Sequence, residues 1–533
     1  MEMPTSRTVA GLLDEIAARQ PDVEFAIDAE RRLTYAEFRR EARRIARGLA
    51  ALGIGKGDHV AILMGNRVEW LIVDFALQVL GAVMVSINTW ASRRELEYML
   101  RHSDAKALVT VDRYLKADFP AMLREIGRDS PALSKLRHVV CLGGEPAGDL
   151  LPYSRLTELA ETVPEAAIDA AQADVRPDDV SAILYTSGST STPKGVQVQH
   201  YALIENMFWI GERMHLQPGE RLWLGVSLFW GFACENALFA LLTHGGSIVL
   251  QEYFEPGEAL RLIEAESCNV IYATPNMVRA MADHPARSIC DITSLRTGAT
   301  IGTPEQIDLV AALGAHEICN VYGLTESYGN CAVTDCRLPL SERRRFVGTA
   351  LPGVDLVIAD RETHAPLPVG EVGEIKVKGY VTCGYYKDVD KNAEAFDADG
   401  YFLTGDLGLL DAEGRLYFRG RRKEMVKTGG INVAPIEVEE VLMSHPAVEQ
   451  AFVVGLSDAL RDEILAAVIV PRPGQNPDEV QLLDFCREQL AGYKVPRRFV
   501  FASPEALPLT TTGKVQKLRL PELFSGADET SAA

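Results

Sequence analysis

Short apolar runs recur along this chain between stretches of helical periodicity, and that alternation restricts the fold more than any other feature. His59 to Met64, Ala82 to Ile87, Ala107 to Val111 and His138 to Leu142 are strand-like and bounded by Gly, Asp or Asn. Arg221 to Leu228, Ser247 to Leu250, Val270 to Ala273 and Glu317 to Tyr322 continue the pattern. Residues 34 to 52 have the spacing of an amphipathic helix, with Thr34 placed to cap it and Gly53 to end it. Strands that alternate with helices predict parallel α/β layers. With 533 residues and 47% hydrophobic content, the chain can fill a large core and more than one domain.

The texture changes twice. From about Phe346 to Phe418, short β runs such as Asp355 to Ile358 and Glu374 to Lys378 sit between Gly/Pro turns, which predicts an antiparallel subdomain. The basic patch Arg419-Gly-Arg-Arg-Lys423 follows, and beyond it comes a compact α+β unit. The expected division is 1–420 for a large N-terminal domain, 421–424 for a hinge, 425–521 for a small lid and 522–533 for a disordered tail.

Several classes are disfavoured at once. The net charge of −20 gives no global attraction to nucleic acid or to an anionic membrane. The most apolar run, Leu71 to Ile87, contains Asp74, Gln78 and Gly81, so it reads as a buried helix followed by a strand and not as a membrane span. Nine cysteines without a CxxC pair read as reduced thiols in a cytoplasmic protein. The N-terminus lacks a basic region followed by an apolar core, so no signal peptide is expected.

The run Val180 to Tyr185 feeds into YTSGSTSTPKG, residues Tyr185 to Gly195. Thr186, Ser187, Gly188, Ser189 and Thr190 offer open backbone N–H groups and small hydroxyls, and Lys194 adds a mobile cation. Those are the groups that cradle a phosphate, although a polar surface turn has the same composition. It is not a Walker loop, because Pro193 precedes the lysine and Gly195 follows it. A second turn, Asn320-Val-Tyr-Gly-Leu-Thr-Glu326, brings together an aromatic for a base, a hydroxyl for phosphate and a carboxylate for Mg²⁺.

Five motifs occur in one order: YTSGSTSTPKG, YGLTES, YFLTGD ending at Asp406, GRRKEMVKTGGINVAPIEVEE, and PLTTTGK ending at Lys514. Together they resemble the adenylate-forming superfamily of acyl-CoA synthetases, peptide-synthetase adenylation domains and firefly-type luciferases, over about Leu12 to Leu520. The resemblance implies a large N-terminal domain of layered α/β sheets with a β-barrel-like subdomain, and a small mobile C-terminal α+β lid. It implies ATP and Mg²⁺ as cofactors and CoA as co-substrate. Thr186 to Gly195 would hold the β- and γ-phosphates. Gly298, Ala299 and Thr300 would line the adenine and acyl pocket, Tyr322 and Gly323 would flank adenine, and Thr325 would touch phosphate. Glu326 would bind Mg²⁺, Asp406 and Arg421 the ribose, and Lys514 would bridge the carboxylate and the α-phosphate. Lys423 would be the hinge, and Gly429 and Gly430 the wall of a CoA tunnel.

The acyl pocket would be formed by Trp230, Phe232, Asn276, Gly298, Tyr328 and Gly329. Trp230 stands where many relatives carry His, and it reads as a gate, a cap or a core residue. Glu235 reads either as a further lining residue or as half of a helix-surface salt bridge. Ser191 replaces a common Gly. The resemblance therefore implies a carboxylate–CoA ligase for an aryl, alicyclic or medium-chain acid. An enzyme that loads an acyl or aryl acid onto a carrier protein is the alternative, since no acid residue lies between Ser227 and Ala233 to pair with an amino acid's ammonium. A non-catalytic nucleotide sensor and an oxidative luciferase-like enzyme are further readings, and a homodimer is compatible with all of them.

Overall fold

The computed structural model describes the chain except residues 128–129, 131–132, 145–149, 187–192, 422–423, 429–430, 459–461, 491, 511–513 and 526–533; for 431, 432 and 462 it describes the backbone alone. Two units are formed. One is Met1–Leu356 with Val377–Phe402, and the other is Val357–Lys376 with Leu403–Ala533. Residues 403–420, grouped by the sequence reading with the N-terminal domain, belong by their contacts to the second unit. The reason is a β ladder. Leu416–Arg421 runs antiparallel to Phe402–Leu410 and pairs Arg421 with Asp406, so a cut at 420 would pass through the sheet.

Among the described residues the first unit holds a nine-stranded and a seven-stranded sheet. The seven-stranded sheet runs in the order Lys194–Gln199, Val180–Thr186, Val83–Ser86, His59–Leu63, Ala107–Val111, His138–Leu142, Leu151–Pro152. Its strands are parallel except for the antiparallel hairpin of Val180–Thr186 with Lys194–Gln199. In the nine-stranded sheet, Glu24–Ile27, Ser247–Leu250, Arg221–Leu224, Val270–Tyr272, Thr297–Thr300 and Glu317–Tyr322 form a parallel centre. The predicted strand to Leu228 ends at Leu224, and the freed residues turn to deliver Trp230.

Helix Val68–Leu80 is buried at every position, as a helix apolar on all sides must be. Gly81 closes it with φ +65°, and the strand Val83–Ser86 follows. Its polar residues serve the phosphate-loop hairpin: Gln78 donates to Asp74 Oδ1 at 2.7 Å and accepts the Ser181 hydroxyl at 2.8 Å. Burial pushes the Asp74 carboxyl up to about 7. The amphipathic helix Tyr35–Ala51 begins in a capping box. The Glu37 N–H donates to Thr34 Oγ1 at 3.3 Å, and the Thr34 N–H donates back to Glu37 Oε2 at 3.0 Å.

The second unit carries the sheet Ile431–Val433, Val426–Thr428, Asp462–Pro471, Val448–Asp458, with Arg498–Phe501 paired to Asp462–Pro471. Its two faces have separate cores. Val453 packs toward helices Pro435–Met443 and Glu479–Gln489, while Val454 packs with Leu507, Leu520 and Phe524. Of the tail expected from 522, residues 522–525 are described and ordered. Glu522–Ser525 is helical and Phe524 is buried, because that stretch still holds Leu523 and Phe524 before the polar residues begin. None of the nine cysteines, Cys331 and Cys336 included, forms a disulfide. Among the described residues, no helix is long and apolar enough to cross a membrane.

Gly298 shows why a glycine sits inside a central strand. It has φ +150°, and a Cβ there would overlap the Ile271 carbonyl oxygen of the neighbouring strand. Gly298→Ala is therefore expected to cost about 1–3 kcal/mol by overpacking. A thermal melt checks this, and an unchanged Tm would show that the sheet can yield.

Candidate active site

In the first unit, the hairpin places Thr186 opposite Lys194. Ser187, Gly188, Ser189 and Thr190, expected to cradle phosphate, lie outside the described residues, as does Ser191. The base of the loop is pinned from outside. The Tyr98 hydroxyl donates to the Pro193 carbonyl at 3.1 Å, and the Tyr185 hydroxyl lies 2.8 Å from His102 Nδ1.

Lys194 Nζ stands over the Tyr385 ring, 4.9 Å from its centroid. The hydroxyl of the same tyrosine donates to Glu326 Oε1 at 2.8 Å. One aromatic side chain thus joins the lysine expected at phosphate to the carboxylate expected at Mg²⁺. Backbone bonds fix this loop on both sides. The Thr382 N–H donates to the Glu326 carbonyl at 2.7 Å, and the Tyr386 N–H to the Gly195 carbonyl at 2.8 Å. Burial, then the charge of Glu326, pushes the Tyr385 hydroxyl above the ordinary phenol range, so it stays a donor. Sequence reasoning missed Tyr385. Its only sequence sign is the Tyr385-Tyr386 pair after Gly384, which carries no chemistry without the fold.

The YGLTES turn follows the strand Glu317–Tyr322, with Thr325–Ser327 in a 3₁₀ turn. Tyr322 is buried at the strand end. Gly323 has no room for a side chain, since a Cβ would meet the Gly329 carbonyl and Asn330. Glu326 is 9% exposed, and among the described residues no cluster of three His, Cys, Asp or Glu could hold an ion alone. That fits Mg²⁺, which commonly takes one or two carboxylates and completes its shell with substrate phosphates and water.

The expected acyl wall is only partly assembled. Trp230 is half-buried and meets Phe229 and Trp90 edge-on, with ring centroids 5.7 Å away in both cases. Trp90, 39% exposed, is a neighbour of Trp230 that the sequence did not reveal. Phe232 packs on Tyr272 at 5.0 Å. Gly298, Ala299 and Thr300 are buried in their strand, and the Thr300 hydroxyl donates to the Ala273 carbonyl at 3.0 Å. Gly329 has φ +81° and lies against Asn236. Two of the expected pocket residues have settings the sequence did not show. The Tyr328 side chain is fully buried at φ +54°, and its hydroxyl accepts the Gln199 N–H at 2.8 Å, so it props the hairpin. Asn276 is exposed on the first turn of helix Pro275–Asp283.

Glu235 lies on the π-helical turn Phe232–Ala237, a geometry that often marks functional sites. The helix-surface salt bridge is excluded, since Glu235 is 1% exposed. Burial, then the charge of Glu326, pushes its carboxyl well above the usual range.

In the second unit, Asp406 and Arg421 are cross-strand neighbours, and Arg421 Nε lies 3.4 Å from Asp406 Oδ1. Asp406 is nearly buried and Arg421 exposed. Lys514 is tied by its backbone to Thr510. Its N–H donates to Thr510 Oγ1 at 3.0 Å and its carbonyl accepts the Thr510 N–H at 2.7 Å. The residue is exposed overall, yet desolvation at its ammonium, then the Arg421 guanidinium, hold it below the ordinary lysine range. Lys423, Gly429 and Gly430 lie outside the described residues.

Comparison with known proteins identifies the family. The family model "AMP-binding enzyme" matches residues 13–386, and "AMP-binding enzyme C-terminal domain" matches residues 437–514. The chain therefore belongs to the AMP-binding enzymes of the adenylate-forming superfamily and is an ATP-dependent, AMP-forming acid–CoA ligase. YngI of Bacillus subtilis (strain 168) is 34% identical over 532 residues, covering 97% of this chain and 96% of its own. The mitochondrial medium-chain acyl-CoA ligase ACSF2 of Danio rerio is 30% identical over 541 residues, covering 97% of this chain and 88% of its own. The crystal structure of the anthranilate CoA ligase AuaEII with anthranoyl-AMP superposes with a TM-score of 0.85 at 26% identity, covering all of both chains.

Two outcomes are expected. Tyr385→Phe keeps the ring under Lys194 but releases Glu326, so the Mg²⁺ concentration for half-maximal activity should rise about tenfold or more. A magnesium titration checks this, and an unchanged midpoint would separate Tyr385 from the metal. Trp230→Ala should shift the kcat/KM ratio of a bulky over a compact acid by roughly tenfold, with the KM for ATP little moved. A flat ratio with a lowered Tm would make Trp230 a core residue.

Proposed function

We propose that this ligase activates an aryl, alicyclic or medium-chain acid at a pocket gated by Trp230 and Phe232, and that it works in the cytoplasm. The link from Lys194 through Tyr385 to Glu326 carries the reading. It holds a cation and a carboxylate in fixed relation, which a nucleotide triphosphate with its metal requires. Apolar aromatic gating supports a ring or a medium chain over acetate.

A carboxylate is a poor electrophile, and two anions must meet before it reacts. Thr186, the loop hydroxyls of Ser187, Ser189 and Thr190, the Gly188 N–H and Lys194 hold the outer phosphates. Tyr322 and Gly323 flank the adenine, Thr325 touches phosphate, and Asp406 with Arg421 receives the ribose. Glu326 would hold Mg²⁺, which supplies neutralisation of phosphate charge when bound. Lys514 steadies charge on the α-phosphate as the acid's oxygen attacks and pyrophosphate leaves. The small domain then turns at Lys423, withdrawing Lys514 and presenting the Gly429-Gly430 wall, along which the CoA thiol reaches the acyl-adenylate. The product is a thioester, with AMP released. A carrier-protein thiol is the second reading for the acceptor, and a homodimer is compatible with either.

The functional test is pyrophosphate release across a panel of carboxylic acids, with free CoA and with a phosphopantetheinyl carrier as acceptors. Preference for the carrier would move the second half-reaction to the alternative. Lys514→Ala should slow adenylate formation by about a hundredfold or more. Thioester formation from pre-made acyl-adenylate should stay within about threefold of the parent. Equal loss in both half-reactions would count against the turning lid.

A further inference from the structure

The π-helical turn Phe232–Ala237 sets a carboxyl where no neighbour answers it. Glu235 is 1% exposed, and neither of its oxygens has a hydrogen-bond partner among the described residues. Buried polar groups almost always find partners, so one left open in a native interior calls for an absent ligand or water. The neighbouring Asn236 repeats the pattern on one side only. Its Oδ1 accepts the Tyr272 hydroxyl at 2.8 Å, while its Nδ2 has no partner among the described residues.

The surroundings define what Glu235 faces. Its Oε2 occupies the space where a side chain on Gly231 would begin, and Thr325 Oγ1 lies 3.4 Å from that same point. Gly231 follows the aromatic gate at Trp230, and Thr325 precedes Glu326 on the phosphate-side turn. Asn236 Nδ2 lies 2.9 Å from the corresponding point on Gly329. Phe232, from the same turn, packs its ring on Tyr272 at 5.0 Å. The unanswered carboxyl therefore stands between Trp230 and the turn that carries Thr325 and Glu326, beside Phe232 and Gly329 of the expected acyl pocket.

We propose that Glu235 is a specificity-determining residue that accepts a hydrogen bond from the acid substrate, so that the preferred acids carry a hydroxyl or amine donor on the acyl group. This rests on the ligase reading above and narrows its substrate class. A donor-bearing acid completes the carboxyl. A plain hydrocarbon acid of the same size seals it without a partner, and a site built to bind a donor rejects the analogue that lacks one.

The test compares matched acids of equal length, hydroxy-substituted, amino-substituted and unsubstituted, by kcat/KM for pyrophosphate release. The parent, Glu235→Gln and Glu235→Leu are measured alongside. The parent should favour at least one donor-bearing acid over its unsubstituted match by about tenfold or more. Glu235→Leu should erase or invert that ratio, with the KM for ATP little changed. Glu235→Gln keeps an acceptor oxygen, so both donor-bearing acids should keep part of their advantage over the unsubstituted match. Melting of the ligand-free protein guards against a merely structural role. Removing an unanswered buried carboxyl should leave Tm unchanged or raised in Glu235→Leu, and a lowered Tm with an unchanged acid ratio overturns the proposal. A parent that turns over unsubstituted acids as well as or better than donor-bearing ones also overturns it and leaves the ligase reading intact. Release of pyrophosphate with none of the acids, by protein that still binds ATP, overturns both.

Discussion

The Tyr385 side chain connects groups that come from three distant parts of the chain. Lys194 arrives on an antiparallel hairpin, Glu326 on the turn after a parallel strand, and Tyr385 on a loop in the segment that returns to the first unit. The ring faces the ammonium and the hydroxyl bonds the carboxylate, so one rigid side chain sets the spacing of two opposite charges. Without that link, a lysine and a glutamate in one basin would tend to pair directly and block the phosphate. The loop stays in place because its backbone is bonded to Glu326 on one side and to the hairpin on the other.

The acyl side is built on the opposite plan. Where Lys194 and Glu326 are both answered by Tyr385, the π-helical turn leaves Glu235 and part of Asn236 without a partner among the described residues. The contrast separates two tasks. Every AMP-forming ligase must bind the same nucleotide, which allows a finished cradle. The acid differs between ligases, and in the role proposed for it Glu235 selects among acids by the cost of lacking a partner.

Local physics made much of this legible in the sequence. Thr34 with Glu37 spells a capping box, and the strands at 107–111, 138–142, 247–250 and 317–322 fall where apolar runs are bounded by turn residues. Asp406 and Arg421 were readable as a pair only through the resemblance, since 14 intervening residues hide a cross-strand contact. Tyr385 and Trp90 gave no signal, because their roles exist only once the chain folds back on itself. The strand ending at Leu224 was overrun because Gly225 to Phe229 remain apolar after leaving the sheet. Where the Tyr328 ring goes was not legible, because a position in a turn says nothing of it, and the ring goes into the core.

The two sides of the acyl region differ in how much change they can absorb. Gly298 packs against the backbone of the neighbouring strand, and Gly323 against the turn that follows it, so neither position admits even a methyl group. Trp90 and Trp230 meet edge-on at a partly open surface, where smaller or larger side chains displace solvent and not the sheet. With the acid gated by Trp230 as proposed, a lineage descended from this chain would change its choice of acid by drift at these aromatics while the two glycines stayed fixed. Descendants with different substrates would share their glycines and differ in their aromatics.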